Sequence, residues 1–581
     1  MNTQSLKFLI CFGLITLYLT FHAFGEIRAS ENNSVVETNQ SFLDWELAST
    51  VGAYREAGHT NPAWDAPAIR ALTSYAEAQN QPSDISLGKA WTESVVINCG
   101  VAIKAGCDDP LVRYLYAHFY LRQTNSPLEM ATTFCDVAVD LQKSSYPPIR
   151  KFYAAVRAVD ACRLAHGSAY ANTMPVVQDI SASLGQNILA VLRDKAAPPE
   201  EVYSSSSDFL EYFEGQPNNY AEAYSIIASP LFANWGDKSV SWLLKGKAYI
   251  DMAWNARGNG FARNITDEAA KTFQDDLAVA ETALDRAWEL NPHDARIPTE
   301  MLSVELGQGQ GRDRMELWFH RAMKIDPDNY DACTTRLSYI DPNYYGSIQE
   351  MLDFGRECVT NSAWGGRVPL VLVDVRARIY NQFIDKTQQT NYWRQPDVWP
   401  DIKSAYDRFF ELNPNALADY KDYAWYANKA GQWETFLRLA PKIRDVDYYQ
   451  LGGRKRFELL VRHARKMIND QSRLETPTST PSLPDNVTNM PGVKILSVKF
   501  GAGTNVVDVT AKVIELLNAN TNGFMANWHT LKANPTPRRN RKITVQYDLN
   551  GSNYVLTIHG GSYLNSEVLM INARESNRGS P

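Results

Sequence analysis

The strongest constraint on this chain is a pattern written twice near its middle. Ala280, Leu284 and Ala287 step by four and three residues into Leu290-Asn291-Pro292, and Met315, Phe319 and Ala322 step the same way into Ile325-Asp326-Pro327. The two prolines stand 35 residues apart (327 minus 292). Apolar residues at that step form one stripe of a helix, and Asn/Asp-Pro ends it, because the residue before proline is pushed out of the helical region. A helix with one apolar stripe is not stable alone. Copies at a fixed period bury their stripes against one another, so the chain is expected to fold by stacking helical hairpins. Such a stack points to a binding scaffold before it points to an enzyme.

A period of this length matches the tetratricopeptide-like (TPR-like) helix-turn-helix unit. Trp242, Gly246 and Tyr249 take the large-small-large places of a first helix, where Gly lets a partner helix approach, and the partner runs from Ala280 to Leu290. Between them lie about 20 residues more than the usual spacing allows, including Trp254 to Ala262. Another unit runs from Ile297 to Pro327, and Ile402, Tyr406 and Phe409 lead into Asn413-Pro414. A helix pair, Ala416–Ala430 and Gln432–Ile443, is expected to join at Gly431, with helices continuing to about Asp470. Upstream, Met130-Phe134-Val137-Leu141 and Phe152-Ala155-Val159-Cys162 repeat the helical spacing less regularly, with breaks at Ser126-Pro127 and Pro147-Pro148. The polar, proline-containing stretch Ala196–Ser207 reads as a break between an N-terminal helical region, residues 42–195, and the repeats, residues 208–470.

The period changes near the C-terminus. Residues 475–492 are rich in Pro, Thr, Ser and Asn, a linker by composition. Beyond them Ile495 to Phe500, Ile543 to Tyr547 and Tyr554 to Ile558 alternate, and Asn550-Gly551 between the last two signals a hairpin. Val509–Leu517 is the only helical stretch expected there. The expected fold is mostly α, a TPR-like helical-repeat solenoid followed by a small, mostly β C-terminal domain at residues 493–575.

The first residues have a signal-peptide layout: Lys7, an apolar run from Phe8 to Phe21, then Ala23-Phe24-Gly25. Cleavage before Glu26 would make residues 1–25 the signal. The alternative is an uncleaved anchor, against which the run falls short of the roughly 20 residues a spanning helix needs. Loss of Cys11 leaves Cys99, Cys107, Cys135, Cys162, Cys333 and Cys358, an even number that suits disulfides in an exported chain. Nearest-neighbour pairing is the simplest arrangement, and buried free thiols are the alternative. Neither C-x-x-C nor a histidine at ligand spacing from a cysteine pair occurs, so no metal is expected. The net charge of −7 disfavours nucleic acid as partner.

Two resemblances rest on particular residues. Trp254, Arg257-Gly258-x-Gly260, Met315-Glu316-Leu317-Trp318-Phe319, Asp326-Pro327-Asp328-Asn329-Tyr330 and Met351-Leu352-x-Phe354-Gly355-Arg356-x-Cys358 resemble a bacterial TPR-containing family of unknown function. Phe500-Gly501-Ala502-Gly503, Val507-Asp508-Val509-Thr510 and Lys542 to Tyr547 are similar to the C-terminal domain of a DnaJ-type co-chaperone subfamily. No His-Pro-Asp occurs, so a J domain is absent from the sequence. The first resemblance implies a bacterial origin, and with the signal it implies a periplasmic or secreted protein. Neither implies a catalytic site or a cofactor.

Trp254, Arg257, Gly258 and Gly260 are the sharpest candidate ligand site, a loop presenting Arg257 to an anionic or aromatic group. The competing reading is a structural loop whose arginine caps helix carbonyls. His320 is a candidate on the outer side of its helix, and Tyr344 and Tyr345 are candidates beside the next one. Gly307-Gln308-Gly309-Gln310-Gly311-Arg312 reads as a turn, because it lacks the preceding strand and the Lys-Ser/Thr ending of a phosphate loop. Hydrolase motifs of the G-x-S-x-G and H-E-x-x-H kinds do not occur. The expected function is an exported scaffold that binds a protein or peptide. The alternatives are an enzyme with a pocket around Trp254 and Arg257, or a structural component of the envelope.

Overall fold

The computed structural model describes residues 35–57, 60–79, 85–121, 126–213, 217–258, 265–382, 389–443, 452–474, 493–502, 505–519, 523–533, 541–559, 562–565, 568–570, 572–573 and 576. The expected signal, residues 1–25, and the expected linker, 475–492, lie outside them. The chain divides into two compact units. One runs to Val375 and takes in Asp407–Asn415; the other comprises Arg376–Tyr406 and the residues from Ala416 onward.

The first unit is a succession of helices, most of them packed on a sequence neighbour. In its N-terminal part, Pro127–Lys143 and Pro148–His166 form an antiparallel pair in which Cys135 meets Cys162 and Gln142 meets Lys151. Capping follows the sequence: Ser126 and Glu129 form a reciprocal capping box, and Pro127 occupies the first turn, where its missing N–H costs nothing. One apolar core runs from Val51 to Ala248. The expected break at Ala196–Ser207 is instead largely helix, Pro199–Glu211, with Ser204 to Ser207 buried. Serine can enter a core because its hydroxyl bonds back to the preceding turn, as Ser205 does to the Glu201 carbonyl at 2.7 Å.

The central repeats are three hairpins: Ser239–Arg257 with Asp267–Leu290, Arg296–Gln308 with Arg312–Ile325, and Tyr330–Tyr339 with Ile348–Thr360. Trp254 meets Phe273, and Gly246 lies against Leu284, so the first pair is antiparallel. A Cβ on Gly246 would stand 2.5 Å from Leu284 Cγ, which is why the small residue sits there. Much of the insertion lengthens these helices, to 19 and 24 residues. The first helices of successive hairpins also touch one another, which makes a continuous face of the stack.

In the second unit, Tyr420–Lys429 and Trp433–Leu439 join at Gly431 (φ 72°), and a further helix spans Arg454–Leu474. The tail contains β1 (Val493–Ala502), β2 (Asn505–Asp508), β3 (Phe524–Met525), β4 (Lys542–Leu549), β5 (Ser552–His559) and β6 (Tyr563–Leu564). Four strands form an antiparallel sheet in the order β2-β1-β4-β5, and β3 pairs with β6. Val498, Phe500, Ile543, Val545 and Tyr547 share a core with Val513 and Leu517 of the helix Thr510–Ala519. The strict alternation fails at Leu496, where the β1–β4 register shifts and the side chain is left exposed. A second short helix, Trp528–Leu531, accompanies the one the sequence reveals.

Candidate functional site

One edge of the central stack gathers most of the sequence candidates. The second and third hairpins turn there, beside the end of Ser239–Arg257. Trp254 and Arg257 lie in the last turn of Ser239–Arg257, not on a loop. Arg257 places its guanidinium 5.4 Å from the Trp254 ring centroid and 6.0 Å from that of Phe273, and Nη1 donates to the Gly258 carbonyl at 3.2 Å. The structure therefore has this arginine closing its own helix end while its flat face covers two rings. Gly258 is the cap residue of that helix, and Gly260 lies outside the described residues.

Gly307, in the last turn of Arg296–Gln308, packs on the helix Asp267–Leu290, where a Cβ would meet Leu277 and Phe273, and the turn Gly309-Gln310-Gly311 follows it. Gly309 has φ 63°, a left-handed conformation that suits glycine, and a Cβ there would stand 2.5 Å from Tyr345 Oη. Tyr345 comes from the third turn. Its hydroxyl donates to the Leu306 carbonyl at 3.3 Å, and its ring packs on Tyr339 at 4.6 Å. Burial pushes the Tyr345 hydroxyl up, Tyr344 adds to this, and the Arg257 charge opposes it. Tyr344 and Tyr345 remain 40% and 46% exposed, so the edge shows two aromatic rings to solvent. His320 does not join them. It is exposed on Arg312–Ile325, its ring 5.9 Å from Phe319.

A cleft of about 220 Å³ opens at the third hairpin, lined by Arg312, Arg336, Ile340, Glu350, Asp353, Phe354 and Glu357. Arg312 pairs with Glu350 at 2.8 Å. Arg336 pairs with Glu316 at 2.9 Å, stands 3.7 Å from Glu357, and lies over the Phe354 and Phe319 rings at 4.2 and 4.5 Å. Ser347 caps the helix that carries the acidic residues and binds the Glu350 carboxylate at 3.0 Å. Trp254 and Arg257 do not line this cleft. Arg257 packs instead on Trp254 and Phe273.

The face formed by the first helices carries a second polar set that the sequence did not single out. Asp251 accepts from Tyr220 Oη at 2.7 Å and from Lys247 at 3.0 Å. Arg296 joins Glu200 at 2.8 Å and Asp294 at 2.6 Å, with its guanidinium 4.5 Å from the Tyr203 ring centroid. Burial pushes the Glu300 carboxyl up to about 7, with Lys247 opposing and Asp251 and Asp331 reinforcing. Asp251 holds Lys247 well above its ordinary value against the cost of burial.

The six cysteines among the described residues are buried thiols. The Cys135 and Cys162 sulfurs lie 3.0 Å apart, beyond the roughly 2.05 Å of a covalent S–S bond. Cys333 and Cys358 are hydrogen-bonded neighbours, and Cys99 lies within the field of Cys107. Among the described residues no group of His, Cys, Asp and Glu is arranged to hold a metal ion, and no helix is long and apolar enough to cross a membrane. In comparison with known proteins, no family model matches the chain, and no curated protein matches it.

Proposed function

We propose that this is an exported helical-repeat scaffold whose central hairpins hold a protein or peptide partner. The observation that carries the reading is the meeting of two successive turns with the end of Ser239–Arg257 on one edge, with exposed Tyr344 and Tyr345 beside a charged cleft. Exposed aromatics next to paired charges suit a partner surface, since tyrosine and arginine supply much of the contact energy in protein interfaces. The likeness of the Trp254–Cys358 segment to a bacterial TPR-containing family supports the scaffold, and that family brings no activity to assign. The β tail, with its likeness to a co-chaperone C-terminal domain, would act as a second binding module on the polar stretch before it.

A photo-crosslinking residue at position 344 tests the partner. A discrete crosslinked protein from the native envelope fraction is expected. The same residue placed at Leu164, 71% exposed on an N-terminal helix, is expected to give none. Equal patterns at the two positions would remove the reading. Export is tested separately. In an oxidising compartment the neighbouring pairs Cys135–Cys162 and Cys333–Cys358 would close, so in protein denatured from that compartment these four cysteines should resist alkylation until reduced.

A further inference from the structure

We propose that the cleft between Arg312 and Glu357 anchors a guanidinium side chain of the partner, an inference that rests on the protein-binding reading above. Size comes first. A cleft of about 220 Å³ holds the volume of about seven waters. That is below the roughly 300–1,000 Å³ of sites that take whole cofactors or drug-sized ligands. It suits one long side chain.

Charge decides which one. Glu350, Asp353 and Glu357 face Arg312 and Arg336 across the cleft, three carboxylates against two cations. Both arginines are already engaged: Arg312 with Glu350 at 2.8 Å, and Arg336 with Glu316 at 2.9 Å while lying on two phenylalanine rings. The carboxylates are engaged less completely. Asp353 accepts from Gln349 Nε2 through Oδ1 at 2.8 Å, which leaves Oδ2, and Glu357 reaches Arg336 only at 3.7 Å. An anion entering here could reach only the N–H groups these pairs leave over, and it would face three carboxylates. A cation displaces nothing and adds to the two least satisfied carboxylates. A guanidinium fits better than an ammonium because its flat fork bonds two carboxylate oxygens at once. Tyr344 and Tyr345, on the loop that follows Ile340, offer aromatic faces to the residues flanking that arginine.

The test uses the full chain and N-acetyl-L-arginine amide as probe, titrated at low salt by NMR or calorimetry, beside N-acetyl-L-glutamine amide and N-acetyl-L-glutamate. Saturable binding of the arginine probe alone is expected, weakened at least about tenfold in the double variant Asp353→Asn, Glu357→Gln. Equal binding of the glutamine probe would overturn the proposal, as would preferred binding of glutamate, which would make the arginines the binding groups. Absence of saturation by the arginine probe would also overturn it. The wild-type selectivity decides the matter even where the double variant melts early. Arginine binding without a crosslinked partner at position 344 would remove the partner reading and leave the cleft. A partner without arginine binding would do the reverse.

Discussion

The N-terminal helices and the central hairpins spend their arginines in opposite ways. Arg150 is 3% exposed and reaches Glu46, 2% exposed and 104 residues away, at 2.5 Å; it also donates to Ser49 Oγ at 2.6 Å. Its guanidinium stands 5.6 Å from the Trp45 and Tyr75 rings. Such a charge specifies which distant helices meet, and it is closed to any partner. Arg257 and Arg312 sit instead where hairpins turn, stacked on rings or paired with a half-exposed glutamate. Buried charge fixes the fold of one region, while charge at the edge of the other leaves a surface that something else can use.

The largest expected effect tests the buried half of this contrast. Arg150→Ala leaves Glu46 buried without its partner and should cost about 3–5 kcal/mol, read from denaturant unfolding of the full chain. A cost no larger than that of Arg257→Ala would remove the distinction. Glycine offers the next test. Gly246→Ala drives a Cβ to 2.5 Å from Leu284 and should cost about 1–3 kcal/mol. Gly185, in the helix Pro175–Arg193 with nothing within 4 Å of its missing Cβ, should respond oppositely. Gly185→Ala is expected to gain about 0.5–1 kcal/mol, because alanine loses less backbone freedom in a helix.

The central stack and the tail hairpin were legible because their signals are local. Asn/Asp-Pro endings, the Gly246 gap and Asn550-Gly551 each act within a few residues, and each lies where the sequence places it. The edge was half legible. Trp254, Arg257, Tyr344 and Tyr345 were singled out one by one, but nothing in the chain says that turns separated by so many residues converge. The cleft was missed because it draws on three helices. One signal was present: Glu350, Asp353 and Glu357 step by three and four, which aligns them on one helix face. The extra residues after Trp254 read, in the sequence alone, as a loop. Much of that stretch extends two helices, since Phe273 and Leu277 continue the apolar stripe past the usual start of the second helix.

The first-helix face sharpens the comparison through pH. Glu300 titrates near 7 in the folded chain against an ordinary 4.5, so folding favours its protonated form. Its contribution is fully present below about pH 4.5 and is lost as the pH rises through 7. Glu300→Gln should flatten that decline, seen as a smaller fall in melting temperature between pH 5 and about 7.5 than in the wild type. Glu46, also raised to about 7 by burial against Arg150, should leave a residual slope of the same sign from the N-terminal region. A variant with an undiminished slope would assign the effect to the other buried carboxyls, Glu46 and Glu305 among them, and would make the first-helix face electrostatically quiet.

The smallest effect is the most informative about use. Arg257→Ala removes a guanidinium lying over Trp254 and Phe273 and a hydrogen bond to its own Gly258 carbonyl. Because arginine covers the rings at a partly open site, the stability cost should be about 0.5–1 kcal/mol. A larger loss would mean that the edge is held together as the N-terminal core is, by charge that cannot be spared. A cost in this range, with crosslinking at position 344 reduced, would mean that Arg257 shapes the surface the partner meets. Unchanged crosslinking at the same small cost would confine Arg257 to closing its helix and leave recognition to the tyrosines and the cleft.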